Sequence, residues 1–444
     1  MSTQVLNTDR FMDRISKQTH VPGAGKMGDA EVVARAKQVF RAGLSTESAV
    51  ALETCIHCGM CSEACHFFRA TDDPKYTPIH KIKPLRRFYR REISPMRLLY
   101  KLFTRDVSAK ELVAWQELVF DSCTECGRCD QICPMGIRIS PMVGIMRSAL
   151  SAADLMPPEF SAMVREQQQH GTTLGLGASD LRKLCETLEQ EGIKAPLDKE
   201  QAKVMVLTTV AELDILQDSF RATARIMNKL GADWTLRSNT VRAAHLCYIS
   251  GDNDARLQAG QLIVEEARAC GATTVIVPEC GMAYAVLRWG APNFLNKPPE
   301  FEVLAISEFI GREISEGRLK VKPGLAGQVM TYHDPCKLGR HGGVFEEPRK
   351  ALTAIGAEVR EMESHARTNF CCGGGSGVFM LERTAALRQE TFKIKRRQVK
   401  NSGAETLVTA CDSCRINLSN CAVNANWNIP IKSLACLVAD NLVD

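Results

Sequence analysis

Nineteen cysteines lie in this 444-residue chain, and most stand at spacings that suit metal binding. Cys55, Cys58, Cys61 and Cys65 form one run, and Cys123, Cys126, Cys129 and Cys133, followed by Pro134, form a second. Three thiolates separated by two residues each wrap one corner of a [4Fe–4S] cluster while nearby amides hydrogen-bond its sulfurs. Zinc needs only four ligands and typically uses paired C-x2-C knuckles, so two complete triplet-plus-one runs speak against it. A third set, Cys336, Cys371, Cys372, Cys411 and Cys414, lies near the C-terminus. Adjacent thiolates do not readily share one metal ion, but they can bridge separate irons of an open cluster. The run Gly373-Gly374-Gly375 permits positive φ and close backbone approach, and is expected to leave space for a substrate sulfur. Asp412, Ser413 and Asn417 suit a helix start whose dipole would stabilise thiolates.

The two N-terminal runs resemble those of two-cluster ferredoxins, in which the fourth cysteine ligates the other cluster. The resemblance implies one cubane [4Fe–4S] cluster on Cys55, Cys58, Cys61 and Cys133, and another on Cys123, Cys126, Cys129 and Cys65. His66 stands where proline is usual. The 57 residues between Cys65 and Cys123 exceed the link of a small ferredoxin and suggest a mostly helical module, as in iron–sulfur subunits of respiratory dehydrogenases. Further on, His333-Asp334-Pro335-Cys336, Cys371-Cys372-Gly373-Gly374 and Cys411-x2-Cys414 resemble the cysteine-rich "CCG" domain. That domain occurs in heterodisulfide reductase, in glycolate and lactate oxidase iron–sulfur subunits, and in anaerobic glycerol-3-phosphate dehydrogenase. Two ferredoxin motifs followed by CCG repeats resemble the D-type subunit of membrane-bound heterodisulfide reductase and the K-type subunit of the sulfite-reductase-associated membrane complex. The likeness implies a noncubane [4Fe–4S] cluster on Cys336, Cys371, Cys372, Cys411 and Cys414, where disulfides are cleaved. His333 is either a proton donor beside that cluster or a strand-end histidine bonded to the loop. His57 either tunes a cubane or is simply exposed. Lys337 and Arg340 either offer charge to a thiolate product or an acidic carrier tail, or are solvated.

Around these residues the expected architecture is α+β and multidomain. Residues 1–45 read as a tail with a short helix near Ala30 to Gly43, 46–155 as the helical ferredoxin-like domain and 156–202 as a polar linker. Apolar runs of strand type at Val204–Val210, Thr273–Val277, Gln328–Tyr332 and Thr406–Thr409 alternate with helical stretches, the pattern of an α/β layer. That half repeats itself: Met205 answers Met330, Gly231 answers Gly356 and Cys247 answers Cys372 at one offset, and Cys280 answers Cys411 at a slightly longer one. A duplicated CCG domain follows, 203–325 degenerate and 326–444 complete. In the first copy Ala211, Leu246 and Ala283 replace Cys336, Cys371 and Cys414. Two remaining thiols should hold no cluster, which leaves Cys247 and Cys280 as a redox pair or as buried remnants. Cys185, Cys270, Cys421 and Cys436 read as small core residues.

The net charge of +5 is concentrated in the first third, chiefly between Lys83 and Arg105, where eight basic residues and Glu92 interleave with apolar ones. Such a segment is a solvated helix face, or it docks on an anionic membrane or an acidic partner. A nucleic-acid role is disfavoured, since no reading motif accompanies the charge. No apolar run is long enough to span a membrane, and Met1 to Asp13 lack an apolar signal region. Cysteine-rich chains of this kind belong to a reducing compartment. No phosphate-cradling glycine motif marks a flavin or nicotinamide site. The resulting expectation is a cytoplasmic subunit peripheral to the inner face of the cell membrane. It would exchange electrons with a quinone-reactive cytochrome b-type membrane subunit and act on a disulfide/thiol carrier protein or a small heterodisulfide. The alternative is an electron relay for a flavin-dependent glycolate, lactate or glycerol-3-phosphate dehydrogenase.

Overall fold

The computed structural model describes residues 6–17, 27–243, 246–295 and 297–443. Up to residue 190 the chain is built of helices, and after it come two small parallel sheets flanked by helices. In the helical third, Phe40, Phe88, Leu112, Met146 and Leu150 are all fully buried in one core. Ser45 and Ser108 cap helices Thr46–Thr54 and Ala109–Gln116 by accepting from Ser48 N and Glu111 N.

Two stretches are more ordered than their composition suggests. The helix near residue 30 runs Asp29–Gly43 and packs Val32, Ala36 and Phe40 inward against helix Ile139–Ala152, so it belongs to the core rather than to a tail. Ahead of it, helix Asp9–Lys17 buries Phe11 and Ile15, and its Arg14 pairs with buried Asp214 of the α/β half at 3.0 Å. The supposed linker holds helices Pro158–His170 and Ala178–Gln190, which bury Phe160, Met163, Leu181 and Leu188. Their apolar residues keep helical spacing, but polar neighbours dilute the signal.

The α/β half is duplicated. Strands β1 (Val204–Val206), β2 (Trp234–Leu236), β3 (Thr274–Val277) and β4 (Glu302–Ala305) form one sheet in the order β2-β1-β3-β4. Strands β5 (Val329–His333), β6 (Glu358–Val359), β7 (Thr406–Thr409) and β8 (Ile431–Ser433) repeat it as β6-β5-β7-β8. All pairs are parallel, with Met205 opposite Val275 in the first sheet and His333 opposite Thr409 in the second. Strands covered on both faces read as unbroken apolar runs, as Val275, Ile276 and Val277 do. Strand β1 is shorter than its apolar run, because Thr209 and Glu212 form a capping box that starts helix Val210–Leu213. In an open parallel sheet of this order the chain reverses direction between the two central strands, and the crevice beyond their carboxyl ends is the natural binding site. In the second sheet those strands are β5 and β7, which end at His333 and Thr409.

Candidate metal centres

The structure brings Cys55, Cys58, Cys61 and Cys133 around one cavity, and Cys65, Cys123, Cys126 and Cys129 around another. The two loops that wrap them have the same backbone. His57 and Gly59 take φ of 55° and 81°, and Glu125 and Gly127, at the equivalent positions, take 48° and 71°. Left-handed residues turn successive amides inward, as a cluster's sulfurs require. Each loop runs into a five-residue helix, Met60–Ala64 or Arg128–Ile132, and these two helices pack on one another.

The surroundings of the two sites differ. At the first, Cys58 is exposed and Ile56, Met60, Ile132 and Met135 form an exposed apolar rim. Arg86 Nη1 lies 2.6 Å from His57 Nε2, and burial together with Arg86 and Arg90 holds the imidazole below its ordinary range. The second site is enclosed. Burial pushes the Cys123 thiol up to about 11 against the pull of Lys81 and Arg147. Burial, then Asp130 and the neighbouring thiols, raise Cys129 as well. Such thiols release their protons when metal binds. His66, in the usual proline position, is buried against Phe67 and lines the second cavity together with Cys126.

Four consecutive carbonyls of the second loop accept from side chains, one on the helical domain and three on the cysteine-rich domain. Arg147 Nη2 donates to Cys123 O at 2.8 Å, Ser376 Oγ to Thr124 O at 2.9 Å, Lys337 Nζ to Glu125 O at 2.9 Å and Arg340 Nη1 to Cys126 O at 2.8 Å. Lys337 is therefore not solvated, and half-buried Arg340 is committed to backbone carbonyls. Lys337 is buried and also donates to Tyr248 Oη, and Arg340 reaches Arg367 O and Asn369 O as well. Sequence reading missed Arg147 and Ser376. Arg147 sits on the apolar face of helix Ile139–Ala152, and an arginine in that position was the available signal.

Beyond this clamp the third set of cysteines converges, and all five are buried. Cys336 follows β5 and Cys411 follows β7, at the switch point. Cys411 is the N-cap of helix Asp412–Asn424, which carries Cys414 in its first turn. The five form one buried cluster, and Cys126 packs against it. Interaction with the neighbouring thiols holds Cys371, Cys372 and Cys411 below the ordinary thiol range and pushes Cys336 and Cys414 above it. Cys126, from the second ferredoxin-type site, thus touches the third set directly.

His333, Cys372 and Cys414 place ligand atoms within 4.8 Å of one another. Both ring nitrogens of His333 are buried without a hydrogen-bond partner, so the ring faces the thiols instead of bonding the loop. Burial, then Lys395, pushes His333 down to about 3, which leaves it uncharged at neutral pH. Lys395 is buried beside the set, donates to Asn369 Oδ1 at 2.7 Å and is itself lowered to about 8 by burial. Gly373 takes the positive φ, 92°, that the run permits, and the close approach is made by neighbouring side chains. A Cβ on Gly373 would lie 2.6 Å from Thr391 Oγ1, and one on Gly374 would lie 2.5 Å from Asn417 Cγ. The glycines admit these neighbours, and Asn417 Nδ2 donates to Cys372 O.

In the first repeat, Ala211, Cys280 and Ala283 are buried at the matching end of their sheet. The side chains of Leu246 and Cys247 lie outside the described residues. Burial, then Asp412 and Cys411, push the Cys280 thiol well up, as expected of an inert core thiol. Cys185, Cys270 and Cys421 are buried and Cys436 is half-buried.

Comparison with known proteins agrees with this geometry. Residues 51–137 match the 4Fe-4S dicluster domain family, and residues 330–419 match the cysteine-rich CCG domain family. The chain is 29% identical over 409 residues to the D-type subunit of dihydromethanophenazine:CoB–CoM heterodisulfide reductase of Methanosarcina acetivorans, covering 88% of this chain and 94% of that one. It is 23% identical over 437 residues to the Hdr-like menaquinol oxidoreductase iron-sulfur subunit 2 of Archaeoglobus fulgidus, covering 86% and 77%. It is also 27% identical over 401 residues to EtfAB:quinone oxidoreductase of Syntrophomonas wolfei, covering 82% of this chain and 54% of that protein. The chain is an iron–sulfur oxidoreductase subunit that joins a 4Fe-4S dicluster domain to a CCG cysteine-rich domain.

Proposed function

We propose that this chain is the catalytic iron–sulfur subunit of a heterodisulfide-reductase-like complex. Electrons would be exchanged with a quinone-reactive, cytochrome b-type membrane partner at one end, and a disulfide/thiol substrate would be reduced, or formed in reverse, at the other. The observation that carries this reading is the packing of Cys126 against the buried cluster of Cys336, Cys371, Cys372, Cys411 and Cys414, which brings the second ferredoxin-type site into contact with the cysteine-rich site. The exposed apolar rim at Cys58 suits the partner's approach at the opposite end.

The donor sets fit iron–sulfur groups. Cys55, Cys58, Cys61 and Cys133 would hold one cubane [4Fe–4S] cluster, and Cys65, Cys123, Cys126 and Cys129 a second. Five converging thiols exceed what one zinc ion takes and include an adjacent pair in sulfur contact. Cys336, Cys371, Cys372, Cys411 and Cys414 would hold a noncubane [4Fe–4S] cluster, which supplies one-electron steps beside a substrate sulfur. Reducing one disulfide to two thiols takes two electrons and two protons. His333 sets an uncharged imidazole beside Cys372 and Cys414, where its N–H can donate a hydrogen bond to a departing thiolate while the two protons come from solvent. The N-terminus of helix Asp412–Asn424 favours negative charge at Cys411 and Cys414.

A second reading, an electron relay for a flavoprotein partner, draws on the likeness to EtfAB:quinone oxidoreductase and on the burial of all five cysteines. Iron analysis with electron paramagnetic resonance of the oxidised holoprotein separates the two. The disulfide reading expects three clusters, about twelve irons per chain, and a paramagnetic signal that appears when a thiol substrate is added. Two clusters, or a third without any thiol-dependent signal, would favour the relay. About sixteen irons would show that the first repeat binds a cluster.

A further inference from the structure

We propose that helix Arg97–Phe103 is a lipid-docking element that seats the chain on an anionic membrane surface. None of its seven residues is buried. Leu98, Leu102 and Phe103 are 76%, 78% and 79% exposed, and Leu99 and the preceding Met96 are 46% and 54% exposed. Leu98 and Leu102 are one turn apart, as are Leu99 and Phe103, so the four side chains form one apolar stripe pointing away from the protein. A surface helix ordinarily turns such a stripe into the core.

The helix is held from behind. Arg91 donates to Lys101 O and Thr104 O, and Arg90 stacks on the Tyr100 ring at 5.2 Å. Tyr100 is the only half-buried side chain of the seven, and the grip falls on it and on the backbone. The stripe is thereby presented rigidly with its apolar side chains uncommitted.

The margins of the stripe select a lipid surface over a protein groove. Arg97, Lys101 and Arg105 are exposed around it, and the helix contains no acid. Long cationic side chains flanking protruding leucines and a phenylalanine can reach headgroup phosphates while the apolar groups enter the acyl boundary. Among the described residues no helix is long and apolar enough to cross a membrane, so attachment through this segment would be interfacial. Helix Lys83–Glu92, which carries Arg90 and Arg91, also carries Arg86 beside His57 of the first ferredoxin-type site. Docking would thus hold the proposed electron-exchange edge near a membrane partner; that consequence rests on the proposed function, whereas the docking itself does not.

The test is co-sedimentation of the full-length holoprotein with vesicles of phosphatidylcholine alone or mixed with phosphatidylglycerol. The wild type is expected to bind the anionic vesicles, with binding weakened by about 0.5 M salt, and to bind phosphatidylcholine far less. Leu98→Ser/Leu102→Ser/Phe103→Ser should weaken anionic-vesicle binding at least about tenfold, and Arg97→Gln/Arg105→Gln should weaken it less. Both variants should keep full iron content and reducible clusters, which separates a failure of docking from a failure of the redox reading. Equal vesicle binding by the triple variant would overturn the proposal. So would a wild type that ignores pure lipid and binds only membranes containing protein, since the stripe would then be a protein-docking face.

Discussion

Four side chains that bond consecutive carbonyls decide how the second ferredoxin-type site meets the cysteine-rich one. Arg340 is the most telling, because one guanidinium joins Cys126 O to Arg367 O and Asn369 O, in the loop that leads to Cys371. Its charge lies close to the thiolates of that site and favours an added electron there. Arg340→Met should lower the reduction potential of this cluster by about 30–60 mV, and Arg340→Lys should recover part of the loss. A redox titration followed by electron paramagnetic resonance checks this, and an unchanged potential would reduce the arginine to a packing role. The eight cysteines were visible in their spacing, and their crossed grouping around two cavities follows the resemblance to two-cluster ferredoxins. The clamp was not visible there. Lys337 and Arg340 look like surface charges in sequence, and their burial depends on residues more than 200 positions away.

At the scale of elements, the seam between the two repeats carries a titratable load. The loops after β1 and β3 meet the loop after β7, where Thr209 Oγ1 donates to Asp412 and Asp412 N donates to Glu279 O. Glu212, Glu279 and Asp412 are all buried there, and burial raises Glu212 to about 8 and Glu279 to about 7 from an unfolded value of 4.5. The folded chain therefore keeps protons that the unfolded chain has released. Their contribution to stability is fully present below about pH 4.5 and is lost as pH rises through about 7 and about 8. Glu212→Gln and Glu279→Gln should flatten the fall of the denaturation midpoint over that interval. An unchanged pH slope would mean that the carboxyls ionise freely in the fold. The sheets were legible because buried parallel strands are short apolar runs, and Thr406–Thr409 matches its strand residue for residue. Residues 156–202 were not, because their helices bury only one narrow face and surround it with glutamines and acids.

Across the whole molecule the three cysteine sets follow one another by contact. The first, with exposed Cys58, meets the second through the packed helices Met60–Ala64 and Arg128–Ile132, and Cys126 of the second packs against the third at the switch point of the second sheet. Repeat symmetry was visible in sequence as matched glycines and cysteines, and the identical strand orders give it physical form. What no spacing could reveal is that Cys126 packs against the third cysteine set, because that contact depends on how the helical module docks. Cys372 is buried beside Cys414 and His333. The most direct measurement is thiol release from a disulfide substrate by the reduced holoprotein, compared between wild type and Cys372→Ser while both ferredoxin-type clusters are followed spectroscopically. The variant is expected to keep both of those clusters reducible and to release no thiol. Thiol release at the wild-type rate by Cys372→Ser would place the disulfide chemistry elsewhere and make the chain an electron relay.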